Sequence, residues 1–174
     1  MKKIVILLGL AALCFSCSIL KNPENIHNSI PIYENQTDIM DGVYFNRPYK
    51  NSYDYKTFLE IVNLNGKNVD SIGLSLLDSK HLEVTRYKPL GVEKNIVKGK
   101  LKKGTFQIKN KNFFFGIPYL FFFDTEEKTR ISVGVLDEII VQHYQYNYSQ
   151  FFGNTSEEVH TDYYHYSKTL EVIP

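Results

Sequence analysis

The sequence predicts an all-β protein, folded as an antiparallel meander that closes into a barrel or half-barrel of about nine to ten strands. From Asp41 onward, apolar and polar residues alternate almost everywhere instead of following the 3.6-residue period of a helix. The candidate strands are short and are separated by hairpin turns at close intervals. A β-sandwich built from the same strands is the alternative architecture.

The first half of the predicted domain contains four strands. Residues 42–45 open the sheet, and residues 58–64 form a second strand that ends at Asn65-Gly66, a pair favoured in tight hairpin turns. Residues 69–77 then pair back on that strand as its antiparallel neighbour. Residues 81–87 follow with a clear alternation of Leu, Val and polar side chains.

The second half is richer in aromatic residues. Residues 96–101 and 105–109 flank Lys102-Lys103-Gly104, a hairpin signal because glycine adopts the positive φ of the turn. Residues 113–123 are apolar on both faces and are divided by Pro118 into two short strands. Three further strands follow: residues 129–136, 139–148 and 160–168.

The N-terminus carries a secretion signal. Lys2 and Lys3 precede an apolar run over residues 4–13, which is much shorter than the roughly 20 residues that span a bilayer. Ser16 followed by Cys17 resembles the lipobox of bacterial lipoproteins. That resemblance implies that residues 1–16 are removed and that the Cys17 thiol becomes a diacylglyceryl, palmitate-bearing membrane anchor.

The remaining chain divides into a tether and one domain. Residues 17–40 are rich in Asn and Pro without a sustained period, which predicts a flexible tether. A chain of 174 residues leaves room for one domain, which we assign to residues 41–174. In the Gram-negative lipoproteins that the lipobox resembles, an aspartate after the acylated cysteine is typical of inner-membrane retention. Ser18 occupies that position here, so the resemblance implies the outer membrane, facing either the periplasm or the outside.

A second resemblance concerns the domain itself. Gly42-Val43-Tyr44, together with the repeated hairpins, is similar to lipocalin-like lipoproteins of the bacterial envelope. This likeness implies a barrel fold and carries over no site residue.

Composition and motifs exclude several classes of function. The balance of 20 basic and 19 acidic residues, net +1, lacks the excess charge that nucleic-acid binding needs. The sequence contains no nucleophile elbow, P-loop or zincin motif. His143, His160 and His165 lie late in the chain with Asp162 nearby. Because His160 and His165 are five residues apart and fall on opposite faces of a strand, we expect neither a metal nor a cofactor.

An aromatic block is the first candidate site. If it lines a barrel, it forms an apolar pocket for an acyl chain or a similar ligand, although rings that simply fill the interior are the commoner outcome. A partner interface is the third interpretation. The candidate pocket residues are Phe113, Phe114, Phe115, Tyr119, Phe121 and Phe123.

Two further faces are candidates for binding. Tyr144, Tyr146 and Tyr148 share one strand face and can either bind glycans or stabilise the sheet through cross-strand pairs. Lys98, Lys100 and Lys102 share another face, which either rests on anionic lipids or is simply solvated.

These features predict a lipid-anchored envelope lipoprotein that is not an enzyme and that binds an apolar small molecule or an envelope protein. A glycan-binding surface lipoprotein and an enzyme of unseen type are the alternatives.

Overall fold

The computed structural model describes residues 26–51, 55–89, 91–117 and 120–169. These residues form an all-β fold, as predicted, with eleven strands in one antiparallel sheet and two short helices. The strands are β1 Ser29–Ile30, β2 Gly42–Phe45, β3 Lys50–Asn51, β4 Ser71–Leu76, β5 His81–Lys88, β6 Gly91–Lys98, β7 Lys100–Lys102, β8 Thr105–Ile117, β9 Phe121–Gly134, β10 Glu138–Phe151 and β11 Asn154–Thr169. A 3-10 helix covers Thr37–Met40, and helix α1 covers Phe58–Ile61.

The sheet follows the order β6-β5-β4-β2-β11-β10-β9-β8-β7, with β1 added to β9 and β3 added to β11. Its two ends, β6 and β7, are consecutive in the chain and are separated only by Gly99. A Cβ atom on Gly99 would lie 2.6 Å from the carbonyl oxygen of Gln107. Only glycine therefore fits where the chain passes from β6 to β7. No ladder among the described strands joins the two ends, and closure into a barrel is not confirmed.

The curved sheet encloses one hydrophobic core. Its two halves contribute facing side chains such as Leu82 from β5 and Ile131 from β9. Helix α1 covers one opening of this core with Phe58, Leu59 and Ile61, which are 0–3% exposed. Burial of these apolar side chains stabilises the fold without any disulfide among the described residues, which include no cysteine.

The strand predicted over residues 58–64 is wrong, because this segment begins with helix α1. Thr57 and Glu60 form a capping box, in which the Thr57 hydroxyl accepts from the Glu60 amide at 3.3 Å and a Glu60 carboxylate oxygen accepts from the Thr57 amide at 2.7 Å. Asn63 then adopts a φ of +58° and ends the turn. The antiparallel neighbours of β4 are therefore β2 and β5.

The described part of the predicted tether is folded. β1 pairs with the end of β9, and the Ile32 amide donates to the Gly104 carbonyl at 3.0 Å. Ile32 and Met40 are 2% and 0% exposed, because apolar residues scattered along this segment enter the core. The domain therefore begins before Asp41, whereas residues 1–25, including Cys17, lie outside the described residues.

The last four strands are longer than predicted. β8, β9, β10 and β11 contain 13, 14, 14 and 16 residues and extend well beyond the core. We call the part beyond the core the projecting sheet, formed by residues 111–117, 121–127, 145–151 and 154–160. Among the residues that the structure describes, no helix has the length and apolar character needed to cross a membrane.

Candidate functional site

The end of the projecting sheet carries a group of exposed apolar side chains, which we call the aromatic tip. Phe114 is 66% exposed and Phe152 is 70% exposed, although large aromatic side chains are usually well covered in a soluble domain. The tip consists of the exposed Phe113, Phe114, Phe115, Ile117, Leu120, Phe123, Phe151 and Phe152, together with the half-buried Phe121 and Phe122.

The tip is apolar on both faces of the sheet. On the face continuous with the core, the Phe115 ring packs against Phe113 at 6.4 Å and Phe121 at 5.9 Å between centroids. On the opposite face, Phe122 packs edge-on against Phe114 at 4.8 Å and against Tyr148 at 5.8 Å. The cross-strand register of β8, β9 and β10 assigns these two sets to opposite sides.

Two hairpin loops meet at the tip. The Phe152 amide, in the loop between β10 and β11, donates to the Leu120 carbonyl in the loop between β8 and β9, at 2.8 Å. Residues 113–123 and 149–156 contain no charged side chain. The outermost part of the projecting sheet is therefore an ordered, uncharged and apolar surface.

The predicted apolar pocket is not assembled by these residues. Phe113, Phe114, Phe115 and Phe123 are 40–66% exposed, and Phe121 is half-buried, so the candidate pocket residues that the structure describes lie on a surface. The reason is geometric, because the strands that carry them continue past the end of the core. Tyr119 lies outside the described residues.

The tyrosine row is largely buried, whereas a glycan-binding surface needs exposed rings. Tyr144, Tyr146 and Tyr148 do share one face of β10, opposite to the core. Tyr144, however, is only 2% exposed, and Tyr146 and Tyr148 are half-buried. Burial raises the pKa of the Tyr144 and Tyr146 phenols. This row therefore mainly packs against the sheet and has little free surface for a ligand.

The basic stripe lies at the end of the sheet opposite to the aromatic tip. Lys98, Lys100 and Lys102 are all exposed, whereas Val97 and Leu101 turn towards the core. Lys102 pairs with Thr105 at the start of β8. The adjacent turn contacts the N-terminal segment through the Ile32–Gly104 hydrogen bond, so the stripe lies beside the chain that leads back to Cys17.

A second candidate site lies at the root of the projecting sheet, where the core face changes from apolar to polar. One cross-strand row consists of Phe106, Ile131, Val141 and Tyr164. The next row brings together Thr129, His143 and Asp162, which are only 0–4% exposed. Buried polar groups lower stability unless they are hydrogen-bonded, so this row is a feature that packing alone does not explain.

Hydrogen bonds hold the imidazole of His143 in place. Thr129 Oγ1 lies 3.2 Å from His143 Nδ1 and accepts a hydrogen bond from the side-chain amide of Asn110 at 2.7 Å. On the other side of the ring, Nε2 lies 3.2 Å from Glu127 Oε1 and 3.2 Å from the Gln145 amide nitrogen. Burial lowers the pKa of His143, with the Glu127 carboxylate opposing that shift. The imidazole is therefore neutral at pH 7.

His143 and Glu127 line a cavity of about 460 Å³, which we call the root pocket. The opposite wall comes from α1 and the residues on either side of it. It includes Ile61, the buried last residue of the helix, and Tyr55, which is 82% exposed at the opening. The other lining residues are Lys56, Glu60 and Asn63. No three His, Asp or Glu side chains of the described residues are grouped as metal ligands.

The root pocket was not predicted, because residues 58–64 were expected to form a strand. The signal that identifies its wall is Thr57-x-x-Glu60 ahead of an apolar run, the pattern of a capping box. The other histidines lie apart from the pocket wall. His160 bonds Asp162 at 3.1 Å, and His165 bonds Glu138 on the outer face at 3.0 Å.

Comparisons of the chain with protein-family models, with curated proteins and with solved structures find no match.

Proposed function

We propose that this protein is a non-enzymatic lipoprotein of the cell envelope, held in the outer membrane through diacylated Cys17, and that its aromatic tip docks an envelope protein. The observation that carries the proposal is the ordered, uncharged tip with Phe114 and Phe152 two-thirds exposed. Contiguous exposed apolar surface is typical of sites that another molecule covers, and aromatic side chains are enriched in such interfaces.

The open edge of the tip favours a protein over lipid. β8 pairs with β9 along its length but meets β7 only at residues 105–107, so its second edge is free of any described strand over residues 108–117. Backbone N–H and C=O groups on that edge would lose their hydrogen bonds in hydrocarbon, at a cost of several kcal/mol each. A partner strand supplies those bonds and covers rings on both faces.

The position of the anchor supports the same orientation. β9 has 14 residues and runs about 44 Å from the tip to the end where β1 pairs with it. The nine Cα–Cα steps from Cys17 to Ile26 reach at most about 31 Å. A domain that rests on its basic stripe beside the anchor therefore presents the tip away from the bilayer. An apolar small molecule is less favoured, since the rings enclose no cavity.

Site-specific photo-cross-linking in living cells tests the docking function. A photoreactive phenylalanine analogue at position 114 should give one discrete protein adduct, and the same analogue at Val92, which is 63% exposed on β6, should give none. The adduct should disappear when Phe113 and Phe115 are replaced by Ser. Adducts of equal yield at both positions, or none at the tip, would contradict the proposal.

The anchor has its own test. Cys17→Ser should abolish labelling by radioactive palmitate and leave an unprocessed or soluble product. Labelling that persists in this variant would remove Cys17 as the attachment site.

A further inference from the structure

We propose that the root pocket binds a short neutral saccharide. This site is distinct from the aromatic tip, because it lies where the projecting sheet leaves the core and is formed by α1, β9 and β10. The proposal therefore does not depend on the docking function.

The lining of the root pocket combines hydrogen-bond acceptors with hydrogen-bond donors. Glu60 and Glu127 bring carboxylate oxygens, and the Asn63 side-chain amide brings N–H donors beside its carbonyl oxygen. A sugar hydroxyl both donates and accepts, so adjacent hydroxyls satisfy such a lining on both counts. An apolar ligand would instead leave these groups desolvated and unpaired, at a cost of about 1–3 kcal/mol each.

The charge of the lining argues against ions. Two carboxylates face one lysine, and the neutral His143 adds nothing, so the net charge of the lining is negative. An anionic ligand is repelled by this field. A cationic ligand is opposed by Lys56 and cannot satisfy the donors on the pocket wall.

Size and the opening of the pocket fit the same ligand. A cavity of about 460 Å³ falls in the lower part of the range of small-molecule sites, which matches one or two sugar rings. Tyr55, at the opening, presents an aromatic ring that is 82% exposed and can pack on the C–H face of a sugar. Ile61 gives the apolar floor on the helix side.

The geometry at His143 shows that the site is built in advance. The Asn110–Thr129–His143 contacts fix the imidazole plane, and Glu127 lies against its Nε2 at 3.2 Å. The capping box fixes the start of α1 and, with it, the Glu60 carboxylate. A preorganised polar pocket loses little conformational entropy when a ligand enters.

Nuclear magnetic resonance of the full chain in zwitterionic micelles tests the proposal. The His143 imidazole signal, assigned with His143→Gln, is followed while glucose, galactose, N-acetylglucosamine, maltose or cellobiose is added to about 50 mM. At least one sugar should shift this signal saturably. Glu127→Gln should weaken that binding about tenfold, because a hydrogen bond to a charged group is lost.

The control variant is Glu158→Gln, which removes the same charge from an exposed position on β11 and should leave sugar binding unchanged. Phe114→Ser should also leave it unchanged, which separates this site from the aromatic tip. No saturable shift with any of the five sugars would overturn the proposal. Equal weakening by Glu158→Gln, or a larger shift with ethanolamine as an ammonium probe, would overturn it as well.

Discussion

The amide of Phe152 donates a hydrogen bond to the carbonyl of Leu120 at 2.8 Å and so joins the loops of two consecutive hairpins. This contact lies at the outermost point of the projecting sheet, where no core supports the strands. The order of the aromatic tip therefore depends on local backbone geometry, and small changes in that geometry should loosen it.

Gly116 is the residue where this order is most sensitive. Its φ is +142°, and an added Cβ would lie 2.3 Å from the Phe121 carbonyl oxygen. Gly116→Ala should destabilise the tip by at least about 1–3 kcal/mol through backbone strain alone. Faster amide hydrogen exchange at Phe121–Phe123 and faster chymotrypsin cleavage in the tip would report the change.

Gly153→Ala is the matched control, because Gly153 also has a positive φ, +84°, but no atom lies within 4 Å of an added Cβ. Only the cost of the left-handed conformation remains, about 1–2 kcal/mol. If the amide hydrogens of the tip exchange at the same rate in the two variants, the close approach of the backbone at Gly116 contributes nothing to the stability of the tip.

Much of the sheet could be predicted from the sequence, because alternation and hairpin glycines are local signals. β2, β4 and β5 agree with the predicted strands within two residues, and the turn between β7 and β8 lies at the predicted Lys102-Lys103-Gly104. Alternation shows which residues share a face, and it placed Tyr144 with Tyr146 correctly. It does not show what covers that face, so the burial of Tyr144 at 2% exposure could not be derived.

The predictions failed where the local pattern of apolar residues does not determine the tertiary packing. A block that is apolar on both faces, such as residues 113–123, is usually buried on both sides, yet here the strands run past the core. Residues 58–64 carry an apolar pattern too short to separate a helical turn from a strand. Met40 enters the core from a polar segment that has no period at all.

Asn46 should be the most sensitive polar residue of the fold. It is fully buried, and its side chain donates to the Val69 carbonyl at 2.8 Å and accepts from the Leu59 amide at 3.2 Å, which fixes α1 on the sheet. Asn46→Ala leaves both buried groups unpaired and should lower the free energy of unfolding by about 2–4 kcal/mol. Urea denaturation measures this difference. The exposed Asn154→Ala should change it by less than about 0.5 kcal/mol.

The basic stripe gives a prediction about lipid binding. Exchanging Lys98, Lys100 and Lys102 for Gln in the unlipidated Cys17→Ser protein should weaken binding to phosphatidylserine-containing vesicles. Each lysine near an anionic surface contributes about 1 kcal/mol, so the loss should approach about 3 kcal/mol at low salt. Vesicle sedimentation measures the binding.

A second triple variant removes the same charge from exposed basic residues elsewhere: Arg47, Lys67 and Lys109, each to Gln. It should bind vesicles as the parent protein does. If both variants lose the same amount of vesicle binding, the effect depends only on net charge, and the stripe is an ordinary solvated face.

The pH dependence of stability should report the buried imidazole of His143. Burial lowers its pKa in the folded state below the ordinary value of 6.5. The positive charges of Lys56 and His160 also lower this pKa, whereas the carboxylates of Glu127 and Asp162 raise it. Below pH 6.5 the unfolded chain therefore binds a proton at this position more readily than the folded chain. The contribution of this group to stability is complete above pH 6.5 and is lost as the pH falls through the folded-state pKa.

Urea denaturation at pH 7.5 and at pH 5 should therefore show a lower midpoint at pH 5. His143→Gln keeps a hydrogen-bonding side chain without the titration and should reduce that difference, whereas the exposed His27→Gln should preserve it. Side-chain hydrogen bonds, with His81 and with Lys88, lower the pKa of the Asp78 and Glu93 carboxylates from their ordinary values of 3.8 and 4.5, so both groups act below this window. An unchanged difference in the His143→Gln protein would show that other groups cause the loss of stability at pH 5.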